Sequence, residues 1–313
     1  MEKPKDHRAP WAFEIRREEM KVLNFGSLNI DNVYSVEHMV APGETLASSS
    51  MQVFCGGKGL NQSIALAKAG VPVYHAGLIG EEGGILLQAC EAAGVDTRYI
   101  KTVPGKSGHT VIQVDKEGQN CILLYEGANG QVTEAYVDEV LAHFGEGDLL
   151  LLQNEINMPE YIIGRAYAAG MEIAINPSPY NSRLDACDFS KISLFLLNEI
   201  EGEQITGEKE PEEMLAKLKA AYPSAKVLLT LGQNGSVYQQ KEERHRQGIC
   251  KVKAVDTTAA GDTFTGYFIA SMIEGLPVPE GMALAAKASA ITVSRSGAAA
   301  SIPTKEEIMQ AVF

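Results

Sequence analysis

The chain has no long hydrophobic run. Hydrophobic residues make up 45% of its 313 residues, but they never form an unbroken stretch of the kind that crosses a bilayer. The first residues, MEKPKDHRAPWAFEIRREE, also lack the apolar centre of a secretory signal peptide. We therefore expect a cytoplasmic protein with no membrane partner.

Cysteine is scarce and scattered. The five cysteines form no CxxC pair and no Cys/His cluster, so the sequence argues against a zinc site and a disulfide framework. We expect buried or free thiols in a reducing compartment. The five are Cys55, Cys90, Cys121, Cys187 and Cys250.

Positive charge is in deficit. The chain has 27 Lys and Arg against 40 Asp and Glu, a formal net charge of −13, which is unfavourable for binding nucleic acid or anionic lipid. A phosphate ligand remains compatible with this charge, because a single turn can be locally positive. The charged fraction of 21% is ordinary for a globular protein, and the length suffices for one large α/β domain or for two domains.

Strand-like and helix-like segments alternate along the chain. Continuous apolar runs such as DLLLLQ (148–153) and LFLL (194–197) are typical of strands buried on both faces, and helical segments separate them. This alternation predicts an α/β fold, a three-layer αβα Rossmann-like sandwich with a mostly parallel sheet. The charged, aperiodic residues 1–19 are interpreted as an N-terminal tail, and the domain is expected to span 20–313.

Two regions interrupt the alternation. Residues 31–54 are strand-like around an Ala-Pro-Gly turn at 41–43, and 109–127 reads as strand, turn, strand. The two pieces predict a small antiparallel sheet that projects from the main sheet. The alternative is that they are edge strands of the main sheet.

Two glycine-rich segments resemble nucleotide loops but fail the full patterns. AGLIGEEGG (76–84) lacks the GxGxxG spacing, so we interpret it as an ordinary strand-to-helix turn. CGGKGLNQ (55–62) lacks the first glycine and the Ser or Thr of a P-loop. Lys58 and Asn61 lie one helical turn apart, so this segment is either a glycine-rich helix start with a solvated lysine or a site for hydroxyl groups.

GSLNID (26–31) is expected to place Asn29 and Asp31 at the carboxyl end of the first strand, on the same side. Ligands bind at that edge of open parallel sheets, but an Asx turn explains the same residues. NEIE (198–201) fits a capping box, with Asn198 as N-cap and Glu201 at N3, or alternatively a carboxylate near phosphate-bound Mg²⁺. TLGQNG (230–235) is either a hairpin turn or a backbone that passes close to a nucleotide.

VDTTAAGDTFTG (255–266) begins a helix that Gly275 and Pro277 end. Small residues leave the N–H groups of the first turn exposed, and these groups attract an anion. Asp262 either complements the helix dipole or serves as a general base beside an anion hole. In phosphoryl transfer, positioning and fixed positive dipoles provide most of the catalysis.

Taken together, these motifs resemble those of the ribokinase-like (PfkB) family of carbohydrate kinases, in order from Met20 to the end of the chain. GGKGLNQ looks like the family's N-terminal signature, and VDTTAAGDTFTG looks like its more specific C-terminal signature. The segments that look closest to the ribose-phosphorylating members are GSLNID, PGET (42–45), QNE (153–155), NPSP (176–179) and RSGAAASIP (295–303).

The resemblance implies ATP-dependent phosphorylation of D-ribose to D-ribose 5-phosphate. Asp262 matches the catalytic base, and the anion hole matches Ala259, Ala260 and Gly261. The positions that hold the sugar, together with Asp262, match Asn29, Asp31, Gly57, Lys58, Asn61 and Glu155. The ATP site matches Asn198, Gly261 and the turn formed by Thr230, Leu231, Gly232, Gln233, Asn234 and Gly235.

The same resemblance implies two cations and a lid. Glu201 matches a glutamate that acts on Mg²⁺ through water. A monovalent cation, expected to be K⁺, would be held largely by backbone oxygens at Asp256, Thr258, Thr292, Arg295, Gly297 and Ser301. The small sheet, at about 31–54 and 107–130, becomes a lid over the sugar that pairs with a second subunit's lid in a homodimer.

The sequence departs from the family pattern at two positions. Lys287 stands near a position where an asparagine close to adenine is common, and Asn154 stands where an apolar residue is common and would be placed to reach the sugar. The alternatives within the class are another sugar, fructose-like or deoxyribose, or a nucleoside. From another class, a non-catalytic sugar or nucleotide sensor on the same fold stays open, although the intact Asp262 argues against it.

Overall fold

The computed structural model describes residues 20–313, so the predicted tail lies outside the described residues. Strands and helices alternate as the apolar runs predict. In chain order they are β1 (Val22–Phe25), β2 (Asn29–Ser35), β3 (Ser50–Gly56), α1 (Lys58–Lys68), β4 (Val73–Ile79), α2 (Gly84–Ala92), β5 (Asp96–Thr102), β6 (Gly108–Val114), β7 (Asn120–Tyr125), α3 (Glu134–Leu141), β8 (Leu149–Gln153), α4 (Pro159–Ala168), β9 (Glu172–Asn176), β10 (Leu194–Asn198), α5 (Glu199–Thr206), α6 (Pro211–Ala221), β11 (Lys226–Thr230), β12 (Ser236–Gln240), β13 (Glu243–Gln247), α7 (Ala260–Glu274), α8 (Val278–Val293) and α9 (Lys305–Gln310).

The main sheet has nine strands in the order β13-β12-β11-β10-β9-β8-β1-β4-β5. The strands from β11 to β5 pair in parallel, and β12 and β13 add an antiparallel hairpin at one edge. Parallel neighbours need crossover connections, and the helices provide them. The predicted mostly parallel sheet is confirmed.

Both faces of this sheet are covered. Side chains alternate in direction along a strand, so Leu149 and Leu151 of β8 join one core while Leu150 and Leu152 join the other. The first core contains residues of α1, α2, α7 and α8, and the second contains residues of α3, α4 and α6. The result is the predicted three-layer αβα sandwich.

A second sheet of four strands, in the order β3-β2-β6-β7, projects from the main sheet. It is separate from the main sheet, which excludes the edge-strand alternative. The sheet is mixed and not purely antiparallel, because β2 and β6 pair in parallel from Asn29↔Gly108 to Ser35↔Val114. Both strands lead away from the sandwich, and each returns through an antiparallel partner, β3 or β7. We refer to this sheet as the lid.

The position predicted for Asn29 and Asp31 was wrong by one element. β1 ends at Phe25, and both residues belong to lid strand β2. The sequence pattern remains strand-like through residues 26–28, but the backbone leaves the main sheet there. The Ser27 carbonyl accepts a hydrogen bond from the Leu60 N–H in α1. Their shared direction was predicted correctly, since both side chains face one cavity.

Within residues 20–313, no helix is both long and apolar enough to span a bilayer.

Candidate active site

A polar cavity of about 850 Å³ lies between the lid and the carboxyl-end edge of the main sheet. The N-terminal turns of α1 and α7 and the ends of β10 and β11 border it. An apolar cavity of about 640 Å³ lies beside it, against α7 and α8. The residues common to both are Thr230, Ala254, Thr257, Ala260 and Gly261. The two cavities therefore meet at the beginning of α7.

Asp262 is buried at the third position of α7 and faces the polar cavity. Two amides of α1 hold its carboxylate: Asn61 Nδ2 donates to Oδ2 at 3.0 Å, and Gln62 Nε2 donates to Oδ1 at 2.9 Å. The N-cap residue Ala259 has a left-handed backbone, φ 61°, a conformation that costs an alanine about 1 kcal/mol. No side chain caps this helix, so N–H groups of its first turn remain for an anion.

The Lys58 ammonium group brings a positive charge to the polar cavity. Burial acts to lower the pKa of its ammonium, but the charges of Asp262, Glu155 and Glu201 outweigh this effect and raise the pKa overall. Lys58 therefore stays protonated among three carboxylates. A fixed positive charge at this place suits an anionic substrate group.

Glu155 follows β8 and is held from two sides. Ser27 Oγ donates to its Oε2 at 2.5 Å, and the Lys58 backbone N–H donates to the same oxygen at 2.8 Å. Burial raises the pKa of the Glu155 carboxyl, while Lys58 and these hydrogen bonds act to lower it. The remaining oxygen, Oε1, has no partner among the described hydrogen bonds, which leaves an acceptor for a hydroxyl group.

Asp31 lies on the inner face of the lid. Burial raises the pKa of its carboxyl to about 6, the Thr110 hydroxyl opposes this by donating to Oδ1 at 2.7 Å, and the charge of Glu155 adds to the rise. Gly56 on the neighbouring strand makes room for the carboxylate, since a Cβ there would lie 1.9 Å from Asp31 Oδ2. Asp31 can therefore occupy its position only beside a glycine.

Asn29 is oriented by a residue that follows the lid. Asn129 Nδ2 donates to Asn29 Oδ1 at 2.7 Å, and Asn129 Oδ1 accepts from the Leu28 N–H at 3.1 Å. Because the Asn29 oxygen is occupied, its amide nitrogen is the group available to the cavity. Gly57, the N-cap of α1, completes this side of the cavity.

The capping box predicted at NEIE is confirmed. Asn198 Oδ1 accepts from the N–H groups of Ile200 and Glu201, and Glu201 Oε2 accepts from the Asn198 N–H at 2.9 Å. Asn198 and Glu201 also line the polar cavity. The structural interpretation is thus correct, and it does not exclude a ligand role, because Glu201 Oε1 is not used by the cap.

The turn after β11 forms the predicted hairpin with β12. Thr230, Gly232, Gln233 and Gly235 line the apolar cavity, together with Gly261 from α7. Leu231 and Asn234 line neither cavity. The structure thus brings most of the residues predicted for the nucleotide to one place.

The residues predicted for a monovalent cation lie on two neighbouring loops and in the last turn of α8, which contains Thr292. Asp256 joins the loops, since its Oδ1 accepts from the Thr258 N–H and its Oδ2 from the Gly297 N–H. These three residues border the polar cavity, whereas the other three do not and have side chains engaged elsewhere. Those engagements are Thr292 with Thr263, Arg295 with Glu307, and Ser301 with the carbonyl of Ala298.

Two side chains differ from expectation or were overlooked. Asn154 does not line the polar cavity; its Nδ2 donates to the carbonyl of Pro179 at 2.6 Å. Gln62 was missed, although it adjoins Asn61 in GGKGLNQ and is a fully buried amide in an apolar stretch. That contrast, a long polar residue among Leu60, Ile64 and Leu66, was the signal available in the sequence.

Known proteins match the chain over nearly its whole length. The pfkB family carbohydrate kinase model matches residues 20–305. Ribokinase of Haemophilus influenzae is 36% identical over 91% of this chain and 96% of its own length. A solved structure of Arabidopsis thaliana ribokinase complexed with ribose and ATP superposes with a TM-score of 0.80 at 28% identity, covering 93% of this chain and 98% of that one.

The matched region contains both glycine-rich helix starts of the site, that of α7 with Asp262 and that of α1 with Lys58. The chain is therefore a carbohydrate kinase that belongs to the pfkB family.

Proposed function

We propose that this chain transfers the γ-phosphoryl group of ATP to the 5-hydroxyl of D-ribose. The observation that carries the proposal is the position of Asp262, a buried carboxylate that lines the polar cavity directly after Ala260 and Gly261, where the two cavities meet. The relatives named ribokinase, and the neighbour solved with ribose and ATP, support this choice of substrates.

The polar cavity suits a small polyol. Asn29 offers an amide nitrogen, while Asp31 and Glu155 offer carboxylate oxygens that accept from hydroxyl groups. Lys58 and Asn61, on one face of the first turn of α1, add donors beside Asp262. We assign these residues and Gly57 to the sugar.

The reaction then follows from the helix start. Asp262 removes the proton of the sugar hydroxyl as the hydroxyl oxygen bonds to the γ-phosphorus. The bond from phosphorus to the bridging oxygen breaks, and its electron pair leaves with ADP. The backbone N–H groups of Ala259, Ala260 and Gly261 at the start of α7 stabilise charge on the transferring group, and that of Ala260 is shared with the Thr257 carbonyl, to which it donates at 3.3 Å.

The apolar cavity suits the nucleotide base, with Thr230, Gly232, Gln233 and Gly235 on one wall. We assign this turn, including Leu231 and Asn234, together with Asn198 and Gly261, to ATP. Lys287 is exposed and does not line this cavity, so the departure at that position leaves the wall unchanged.

Glu201 fits a magnesium role by its chemistry. It is a buried carboxylate with one oxygen committed to the cap of α5, and it lies on the wall shared with Asn198. Mg²⁺ prefers oxygen ligands and usually keeps several waters, so Glu201 would hold it through water. Bound Mg²⁺ would neutralise charge on the phosphates of ATP.

The loops at 254–258 and 293–301 fit a monovalent cation mainly through backbone oxygens, since the side chains of Asp256, Thr292, Arg295 and Ser301 already have partners. Asp256 and Thr258 would contribute with Thr292, Arg295, Gly297 and Ser301. We propose K⁺ as the ion. Addition of K⁺ should raise the turnover of metal-stripped protein more than an equal ionic strength of a bulky organic cation.

A coupled assay of ADP release tests the proposed substrates. We expect D-ribose to give a higher kcat/KM than deoxyribose, fructose or a nucleoside, each with Mg²⁺ and ATP. Comparable values for ribose and fructose would contradict the assignment to ribose while leaving a sugar kinase. The absence of ADP release with every hydroxyl compound would contradict the kinase function.

A further inference from the structure

Buried amides continue from Asp262 into the interior of the sandwich. Asn24 of β1, Gln62 of α1 and Gln153 at the end of β8 are each at most 1% exposed, and none of them lines either cavity. Burial of an amide is costly unless its groups are hydrogen-bonded. Three such side chains in a row, ending at the carboxylate of Asp262, therefore call for an explanation.

The amides form one chain of hydrogen bonds. Asn24 Nδ2 donates to the Gly59 carbonyl at 2.7 Å. Gln153 Nε2 donates both to Asn24 Oδ1 at 2.9 Å and to Gln62 Oε1 at 2.7 Å. Gln62 Nε2 then donates to Asp262 Oδ1 at 2.9 Å. The Gln153 nitrogen is thus the centre from which both arms start.

Only one orientation of the three amides satisfies this chain. The Gly59 carbonyl at one end and the Asp262 carboxylate at the other can only accept. If Gln153 rotated by 180°, its oxygen would face the oxygens of Asn24 and Gln62, and both would have to rotate as well. Each end of the chain would then place oxygen against oxygen, which is repulsive in a buried site.

We propose that Gln62, with its orientation determined by Gln153 and Asn24, is a positioning residue that holds Asp262 for proton abstraction. We call these three side chains the amide relay. The inference deepens the proposed function and rests on Asp262 as the base. Oδ1 is held from the interior by Gln62, whereas Oδ2 contacts Asn61, which lines the polar cavity. The relay thus leaves Oδ2 as the oxygen that takes the proton.

A second branch of the network has a different character. Asn24 Nδ2 also donates to Ser63 Oγ, which bonds to His75, and His75 bonds to the Gly26 carbonyl. This branch leads away from Asp262 and ties α1 to β4 and β1. A purely structural role would treat both branches alike, whereas the relay predicts that only the Gln62 branch affects turnover.

Gln62→Met removes the donor with little change in side-chain length. We expect kcat to fall about ten-fold, as for the loss of one hydrogen bond to a charged group, with KM for sugar and ATP changed less than about two-fold. Gln239→Met is the matched control, since Gln239 is also buried but bonds to Arg244 at the far edge of the sheet. An unchanged kcat in folded Gln62→Met overturns the proposal.

Gln153→Glu tests the orientation. The new carboxyl group cannot donate two hydrogens, so Gln62 is drawn to present its nitrogen to residue 153 and its oxygen to Asp262. We expect kcat to fall although residue 153 touches no substrate, and to fall further by a smaller factor when Gln62→Met is already present. Equal factors in both backgrounds contradict the relay.

A measurement without turnover covers variants that fold poorly. We expect the side-chain amide NMR signals of Gln62 to differ between the wild-type protein and Asp262→Asn, whereas those of Gln239 should be the same in both. Unmoved Gln62 signals contradict the contact. If Asp262→Asn keeps full turnover, the assignment of Asp262 as the base fails. If Asp262→Asn is inactive but Gln62→Met is fully active, the base assignment stands and the amide relay fails.

Discussion

Asp262 has two properties that the start of a helix does not require. It is buried, and its two oxygens accept hydrogen bonds from adjacent residues of another helix. A carboxylate that merely complements a helix dipole would gain about 0.3–1 kcal/mol at an exposed position without such partners. The contacts therefore favour the general base over the dipole interpretation.

Substitution of Asp262 by Asn should lower kcat by about 10²–10⁴-fold, because the amide cannot accept the proton of the hydroxyl. Sugar binding should persist, since Asn29, Lys58 and Glu155 are unchanged. Steady-state kinetics checks the fall in kcat, and sugar titration by calorimetry checks that sugar binding persists. Asp138→Asn, at an exposed ion pair with Arg165, serves as the control. Turnover near that of the wild type would rule out Asp262 as the base.

The Asp31 carboxyl should give the sugar affinity a pH dependence. Its raised pKa, about 6, means that it takes up a proton as the pH falls through 6 and then loses the charge that strengthens hydrogen bonds from sugar hydroxyls. We expect the Kd for sugar to rise as the pH falls from 7 to 5. In Asp31→Asn the Kd should be higher at pH 7 and should change less over this range than in the wild-type protein, with Glu155 as the remaining buried carboxyl whose pKa is raised. An equal pH response in both proteins would contradict this role.

The same raised pKa has a consequence for stability with a definite sign. An aspartate whose pKa is higher in the folded than in the unfolded protein favours folding where it is protonated. The contribution of Asp31 to the free energy of unfolding is therefore present below its ordinary pKa, near 3.8, and is lost as the pH rises through about 6. Asp31 thus costs the unliganded protein stability at neutral pH, as functional groups commonly do.

Among the elements, α1 carries the amides of Asn61 and Gln62, and α7 carries the Asp262 carboxylate to which they donate. The two helices pack closely because Gly266 faces α1: a Cβ there would lie 2.4 Å from the Ala65 Cβ and 3.0 Å from the Leu66 backbone nitrogen. Asn61 and Gln62 lie one turn before this contact, and Asp262 lies one turn before Gly266. The distance between the helices therefore decides whether the amides reach the carboxylate.

Gly266→Ala should destabilise the protein by about 1–3 kcal/mol through overpacking, although alanine is the better helix former. Gly164→Ala is the matched control in α4, where a Cβ meets nothing within 4 Å, and it should stabilise the protein by up to about 1 kcal/mol. Thermal unfolding of both variants checks the opposite signs. A melting temperature that rises in both would contradict the close packing of α1 on α7.

The main sheet could be predicted from the sequence because its strands are continuous apolar runs, as in LLLLQ of β8. The lid was harder, since apolar alternation indicates that a segment is a strand but carries no information about which strand it joins. For this reason the step from β1 to β2 across Gly26 and the parallel pairing of β2 with β6 were not predicted. Only the three-dimensional path of the chain decides them.

In the candidate site, too, some residues could be predicted from local sequence patterns and others could not. Residues inside glycine-rich motifs, such as Lys58 and Asp262, stand out because the motif itself predicts a ligand or an exposed helix start. Gln62, Ser27 and Thr110 act from other parts of the chain on Asp262, Glu155 and Asp31 respectively, and the contact pairs are 200, 128 and 79 positions apart. A sequence pattern with a local period contains no trace of such contacts.

At the scale of the whole molecule, the lid stands away from the sandwich. Its last strand β7 is exposed along its length, including Ile122 and Leu124 on the face toward the polar cavity. The residues proposed for the sugar belong to both parts, Asn29 and Asp31 to the lid and Asn61 and Asp262 to the sandwich. A sugar that contacts both parts would draw them together and exclude water from the phosphoryl group.

We expect sugar to slow amide hydrogen exchange in 29–56 and 108–125 by at least several-fold, because closure protects lid amides that are otherwise open to solvent. The hairpin of β12 and β13 forms one edge of the main sheet, outside the lid, and should exchange at an unchanged rate. Hydrogen exchange with mass spectrometry checks both regions. Identical lid exchange with and without sugar would contradict closure.

The lid also offers a surface for a second copy of the chain. Met51, Val53, Leu123 and Tyr125 are exposed apolar side chains on its outer face, and β7 is an edge strand that pairs with β6 on one side only within the described residues. Exposed apolar patches and open strand edges are typical of association sites. We propose that two lids pair in a homodimer.

Leu123→Glu should convert a dimer to a monomer, because it places a charge in the paired surface. Leu123 is 70% exposed in the single chain, and Met309 on α9 is 79% exposed, so Met309→Glu is the matched control away from the lid. Light scattering after size exclusion measures the mass of each. A wild-type protein that elutes as a monomer at all concentrations would refute the pairing.

The junction of the two cavities has a consequence for inhibitor chemistry. Ala260 and Gly261 form part of the wall of both, and neither side chain is larger than a methyl group. The passage over the start of α7 is therefore wide enough for a linker and is lined mainly by backbone groups. A bisubstrate compound, in which a short anionic linker joins a polyol to a purine, could occupy both cavities at once. Its linker would lie against backbone N–H groups, which among the natural substitutions only proline removes, so we expect resistance to arise mainly at one of the two ends.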